Sequence, residues 1–188
     1  MIRILASKAT VAVAAVLVAF GVGGADASAG GGGDPSRAVF EGEVIDLAEG
    51  WGEAGACAEL GVVVECFRTE EELLSAHPEL RGDAMTGDRS AGSAAVLAST
   101  CGSSLRLYRS TGHSGGALYL TTRLVFHNLA SYGFDNDTSS YTVGACSSAF
   151  YSGSNLGGSQ YPGSTAAYAS ASSMVGGWNN VVSSVIIY

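Results

Sequence analysis

Apolar positions in the first half of this chain fall into short stretches, and each stretch predicts one element. Ala9–Phe20 is an apolar run broken only by Thr10, preceded by the positive Arg3 and Lys8 and followed by the small-residue site Ala27-Ser28-Ala29. A dozen residues are too few for the roughly 20 that span a bilayer, so residues 1–29 read as an export signal. Ala38–Leu47 alternates in part and reads as one strand, with Val39, Glu41 and Glu43 on one face and Phe40, Gly42 and Val44 on the other. Ala56–Ala58 and Val62–Phe67 predict a hairpin around Leu60-Gly61. Thr69 and Glu72 have capping-box spacing, which opens a short helix over Glu70–Ala76 that Pro78 ends. Residues 38–80 therefore make a small α+β unit. A Gly-rich flexible start, residues 30–37, precedes it, and a Gly/Ser/Ala-rich linker, residues 81–100, follows it.

Charge changes the picture at that linker. Residues 30–100 hold fourteen Asp and Glu against four Arg, whereas residues 101–188 hold two Asp against three Arg. Two units of different character are expected, and the acidic half argues against a nucleic-acid partner, which needs a basic footprint. The four cysteines all follow the signal, an even number in an exported chain, and predict two disulfides. Three pairings are open; Cys57–Cys66 with Cys101–Cys146 keeps each bridge inside one unit.

The tail is one pattern written twice. Gly133–Ser140 reads G-F-D-N-D-T-S-S and Gly177–Ser184 reads G-W-N-N-V-V-S-S, 44 positions apart. Cys101 and Cys146, Tyr108 and Tyr151, and Gly115 and Gly158 keep the same register within two residues, so the tail is an internal repeat. Asp135, Asn136, Asp137, Ser139, Asn179, Asn180 and Ser183 offer oxygen and no soft ligand, which suits a hard cation such as Ca²⁺. The same residues could instead cap turns through local backbone hydrogen bonds; two copies at matching positions favour the cation.

On these motifs the tail, residues 101–188, resembles the microbial βγ-crystallins. The calcium motif of that family is Asx-Asx-x-x-Ser/Thr-Ser, which D-N-D-T-S-S and N-N-V-V-S-S both satisfy. Its second hallmark, aromatic-x-x-x-x-aromatic-x-Gly, survives imperfectly, with His113 and Leu156 at the second aromatic position. The resemblance implies a mainly β chain: a double Greek-key β-sandwich behind the small α+β module. It implies sites to which each key contributes oxygens for both ions. By position, Asn136 and Asn180 would supply backbone carbonyls, Asp137 a carboxylate, and Ser139 and Ser183 hydroxyls. Val181 stands where Asp137 stands in the first copy, so one site should be weaker. The expected protein is a secreted, monomeric, non-enzymatic calcium binder. The alternative is a secreted metallopeptidase-type inhibitor, with a peptidase as partner, or a killer-toxin-like protein of the same fold.

Other chemistry finds little support. His77, His113 and His127 lack the G-x-S-x-G context of a serine hydrolase and the H-E-x-x-H spacing of a zinc enzyme. The one Lys lies in the signal, so a phosphate loop ending in Gly-Lys-Ser/Thr is absent from the rest of the chain. Phe134 and Trp178 precede the Asx pairs and read as core anchors. Trp51, between two glycines, reads as an exposed ligand contact. Arg81-Gly82-Asp83 spells an integrin-type tripeptide, a match too short to carry function.

Overall fold

A computed structural model describes residues 34–81 and 100–188, with side chains from residue 104 onward in the second stretch. The expected export signal, most of the expected linker and the Arg-Gly-Asp tripeptide beyond Arg81 lie outside the described residues. Where one strand over 38–47 was expected, the chain folds as a hairpin, β1 (Arg37–Phe40) and β2 (Glu43–Asp46). Glu41 and Gly42 both take positive φ, 51° and 85°, which lets a two-residue turn reverse the chain. The partial alternation marked that turn: Gly42 falls where a continuous strand would place an inward side chain.

Next come β3 (Ala56–Glu59) and β4 (Val64–Phe67), antiparallel, with Cys57 opposite Cys66 and bonded to it. The predicted helix, α1, spans Glu70–Ala76. The Thr69 hydroxyl accepts from the Glu72 N–H at 3.1 Å, and the Glu72 carboxylate accepts from the Arg68 N–H at 3.1 Å. Leu73 is fully buried beneath the helix.

The tail supplies β5 (Thr100–Ser110), β6 (Ser114–Thr122), β7 (Phe126–Asn128), β8 (Ser140–Thr142), β9 (Ser148–Tyr151), β10 (Ser170–Ala171) and β11 (Ser184–Ile187). One sheet runs β10-β8-β5-β6-β3-β4-β1-β2 and the other β7-β11-β9, extended by a Tyr151–Gln160 bridge. The connectivity is a crossed pair of Greek keys. The first key is β5 to β8, but its third strand, β7, pairs in the other sheet with β11. The second key runs from β9 to β11, and its short β10 crosses back to pair with β8. Between the sheets lie Leu105, Leu107, Leu118, Leu120, Phe134 and Phe150, all essentially inaccessible.

The acidic module continues the first sheet. Strand β3 lies parallel to β6, with Ala56, Cys57 and Ala58 opposite Ala117, Leu118 and Tyr119. Glu59, 4% exposed, accepts from the backbone N–H groups of Thr121 and Thr122, each at 3.1 Å, and from both threonine hydroxyls. On the outer face, Tyr108 and Tyr119 donate their hydroxyls to Glu70 of α1. The two halves expected from charge thus share one hydrogen-bonded sheet, and the described residues of both belong to one compact unit. Charge recorded surface character; the backbone pairing across the boundary left no compositional mark. Of the predicted disulfides, Cys57–Cys66 is present. Cys146 is also disulfide-bonded, and its expected partner, Cys101, has its side chain outside the described residues.

Candidate metal centre

The doubled strings meet back to back and exchange bonds as a pseudo-twofold. The Asn136 N–H donates to the Val182 carbonyl, and the Asn180 N–H to the Thr138 carbonyl, both at 3.0 Å. Both asparagines sit in the left-handed region, at φ 53° and 57°, which Asn tolerates better than most residues. The side chains cross in the same way. The Ser139 hydroxyl donates to the Asn180 amide oxygen at 2.9 Å, and the Ser183 hydroxyl donates to the Asn136 amide oxygen at 3.2 Å. Each loop is pinned to its own key by a further matched pair: the N–H groups of Ser139 and Ser183 donate to the carbonyls of Tyr108 and Tyr151, each at 2.8 Å.

The last serine of each motif is structural. Ser140 donates to the Ser110 carbonyl at 2.6 Å and accepts from the His113 N–H at 3.1 Å. Ser184 donates to the Gly153 carbonyl at 2.6 Å and accepts from the Leu156 N–H at 3.0 Å. His113 and Leu156 hold matching positive φ, 56° and 59°, so the tight hairpin persists where the second aromatic is missing. His113 also packs edge-on against Tyr108, with centroids 5.4 Å apart.

Of the predicted ligands, the fold gathers Asn136 with Ser183, and Asn180 with Ser139. Asp135 and Asn179 are exposed at the loop entrances, and Asp135 accepts from the Asn136 amide at 3.0 Å. Asp137 pairs with a residue absent from the predicted set. The Arg109 guanidinium donates to Asp137 and, at 2.9 Å, to the Gly133 carbonyl. It lies 4.5 Å from the Trp51 ring centroid and 4.8 Å from that of Phe134, within cation–π range of both.

Trp51 was expected to be exposed and is 6% exposed. Its indole N–H donates to the Tyr132 carbonyl at 2.6 Å, and its ring packs on Phe134. The flanking glycines let the turn drive the indole into the first key; they do not display it. Trp51, Arg109 and Gly133 border a cleft of about 330 Å³. Phe134 is a core anchor, as predicted, and Trp178 packs edge-on against Tyr161 at 5.3 Å. The repeat register held a signal for Arg109: its counterpart is Ser152, just as the counterpart of Asp137 is Val181. These two departures from the repeat fall in one contact.

The histidines are structural. His77 bonds to Glu65 and Glu79, and buried His127 bridges the Tyr132 hydroxyl and the Thr122 carbonyl, at 3.0 Å each. No protein-family model matches the chain, and no curated protein sequence does. Among solved structures it is similar to the N-terminal domain of protein S, at 22% identity over 45% of this chain and 94% of that one, with a TM-score of 0.38. It is also similar to a βγ-crystallin from Ciona intestinalis, at 19% identity over 45% and 99%, TM-score 0.38. A βγ-crystallin domain from Flavobacterium johnsoniae matches at 22% identity over 45% and 92%, TM-score 0.35. The fold assignment rests on the strand order and the exchanged third strands. Residues 100–188 are a βγ-crystallin-type double Greek key.

The donor set of the crossed loops is amide, hydroxyl and carboxylate oxygen, which fits Ca²⁺ and not a soft metal. Among the described residues there is no group of three or more His, Cys, Asp or Glu that could hold an ion. A cation here would depend mainly on neutral oxygens.

Proposed function

We propose that this is an exported, non-enzymatic calcium-binding protein in which Ca²⁺ ties the two Greek keys together. Asn136, Asp137 and Ser183 would hold one ion, and Asn180 and Ser139 the other, with Asp135 and Asn179 beside them. When bound, each ion supplies a charge that draws oxygens of both loops towards it. The observation that carries the reading is the pair of crossed serine–asparagine hydrogen bonds, which put an oxygen of each key into the loop of the other. Sites with so few carboxylates suit an extracellular setting, where dissociation constants of about 10⁻⁴–10⁻³ M suffice.

Calorimetric titration of the full chain with CaCl₂, alongside thermal melts, tests the reading. Two unequal steps are expected. Each site should add about 1.4 kcal/mol of stability at a tenfold excess over its Kd. No heat and no rise in Tm at millimolar Ca²⁺ would reduce both strings to turn caps.

A further inference from the structure

The two copies of the repeat differ in charge at Asp135, where the second copy has Asn179, and at one contact between two charged residues. The first copy carries Arg109 and Asp137, the second Ser152 and Val181, and the two charged residues bond to each other. Their side chains are 31% and 33% exposed, so the pair is partly withdrawn from water. One side of the guanidinium is walled by the rings of Trp51 and Phe134. Its second nitrogen is tied to the Gly133 carbonyl, at the start of the first calcium string. Trp51 is itself fixed by its bond to the Tyr132 carbonyl, and it belongs to the acidic module.

Resting on the calcium reading above, we infer that Arg109 is the resident counter-ion of the first site. Its guanidinium supplies the positive charge that an ion would bring to Asp137. The first site therefore admits Ca²⁺ only as Arg109 gives way, and the acidic module, through Trp51, sets how readily it does. The added carboxylate does not make the first site the stronger one; the Asn180–Ser139 site, which faces no guanidinium, fills first. Coupling is reciprocal, so an ion that displaces Arg109 also loosens Trp51 from the first key.

Calcium titrations of the full chain, wild type against Arg109→Gln, test this. The variant should strengthen the weaker step about tenfold, the scale of one partly exposed charge-assisted pair, and leave the stronger step unchanged. Adding Asp137→Asn should cancel the gain. Arg109→Met, which keeps an apolar stem over the rings, should act as Arg109→Gln does if the latter folds poorly. Two-step binding that neither variant alters overturns the inference and leaves the calcium reading standing; absence of heat in every chain overturns both. An independent readout uses Trp178→Phe, which leaves Trp51 as the sole tryptophan. Its emission should change as the weaker site fills, and saturation of both sites without a change overturns the inference.

Discussion

Ser139 and Asn180 belong to different Greek keys, yet the hydroxyl of one donates to the amide oxygen of the other at 2.9 Å. Its pseudo-twofold mate joins Ser183 to Asn136 at 3.2 Å. Removing either hydroxyl should weaken the site built on the opposite asparagine. Ser139→Ala is expected to lower affinity at the Asn180 site and Ser183→Ala at the Asn136 site. Without calcium each should cost about 1 kcal/mol. A double-mutant cycle of Ser139→Ala with Asn180→Ala in urea denaturation should return a coupling of about 0.5–1 kcal/mol. A coupling near zero would mean the crossed bonds contribute nothing between the keys.

The repeat made these crossed loops legible in the sequence, because matched Asx and Ser positions can be read from spacing alone. The local grammar of the acidic module was equally open: Thr69 and Glu72 marked α1, and Cys57 and Cys66 marked a hairpin with the cysteines opposite each other. The docking of that module was hidden. The parallel pairing of β3 with β6 joins residues about sixty apart, Ala56, Cys57 and Ala58 with Ala117, Leu118 and Tyr119, and no motif marks it. Trp51 misled because two neighbouring glycines describe backbone freedom and say nothing about which surface the indole meets. Arg109 was readable only as half of a correlated difference, Arg109 with Asp137 against Ser152 with Val181.

Thr138 marks another difference between the copies. It is fully buried and its hydroxyl finds no partner among the described residues, while Val182 fills the matching place with a methyl. The Thr138 carbonyl accepts from Asn180 and is untouched by a side-chain change. Thr138→Val should therefore stabilise the protein by about 1 kcal/mol, the scale of one unsatisfied buried hydroxyl. For a unit of this size that is a rise in Tm of roughly 2–4 °C. Calcium affinity should not change. A loss of stability would show that the hydroxyl has a partner in solution.

Tyr108 and Tyr119 both donate to Glu70, and their burial beneath α1 is the main reason they hold their protons. Burial, then the charge of Glu70, pushes Tyr108 up from 10.0 to about 12. Tyr119 is raised in the same direction, by burial and by its bond to Glu70. With folded values above unfolded ones, the unfolded chain releases protons first as pH rises. The contribution is fully present below pH 10 and is lost between 10 and about 12 for Tyr108, with a slope approaching 1.4 kcal/mol per pH unit for each group. Urea denaturation across that range should show stability falling, and Tyr108→Phe should flatten the fall. An unchanged slope in the variant would remove Tyr108 from the account.

Gly133 and Gly177 open the two Asx-Ser strings, and only one of them touches the acidic module. Both have positive φ, 60° and 82°, so alanine at either position should cost about 1 kcal/mol in backbone strain. A Cβ on Gly177 meets nothing within 4 Å, whereas one on Gly133 would lie 2.0 Å from the Leu47 carbonyl oxygen and 3.3 Å from the Trp51 indole nitrogen. Leu47 cannot easily retreat: it is fully buried, and its N–H donates to the Ser36 carbonyl at 2.7 Å. Overpacking against fixed backbone adds roughly 1–3 kcal/mol, so Gly133→Ala should cost that much more than Gly177→Ala. The excess should appear with or without calcium, because the clash is with the module and not with an ion. Denaturant titrations of the two variants decide it; equal losses would mean that the acidic module does not pack on the first key in solution, and the lever from Trp51 to Arg109 would go with it.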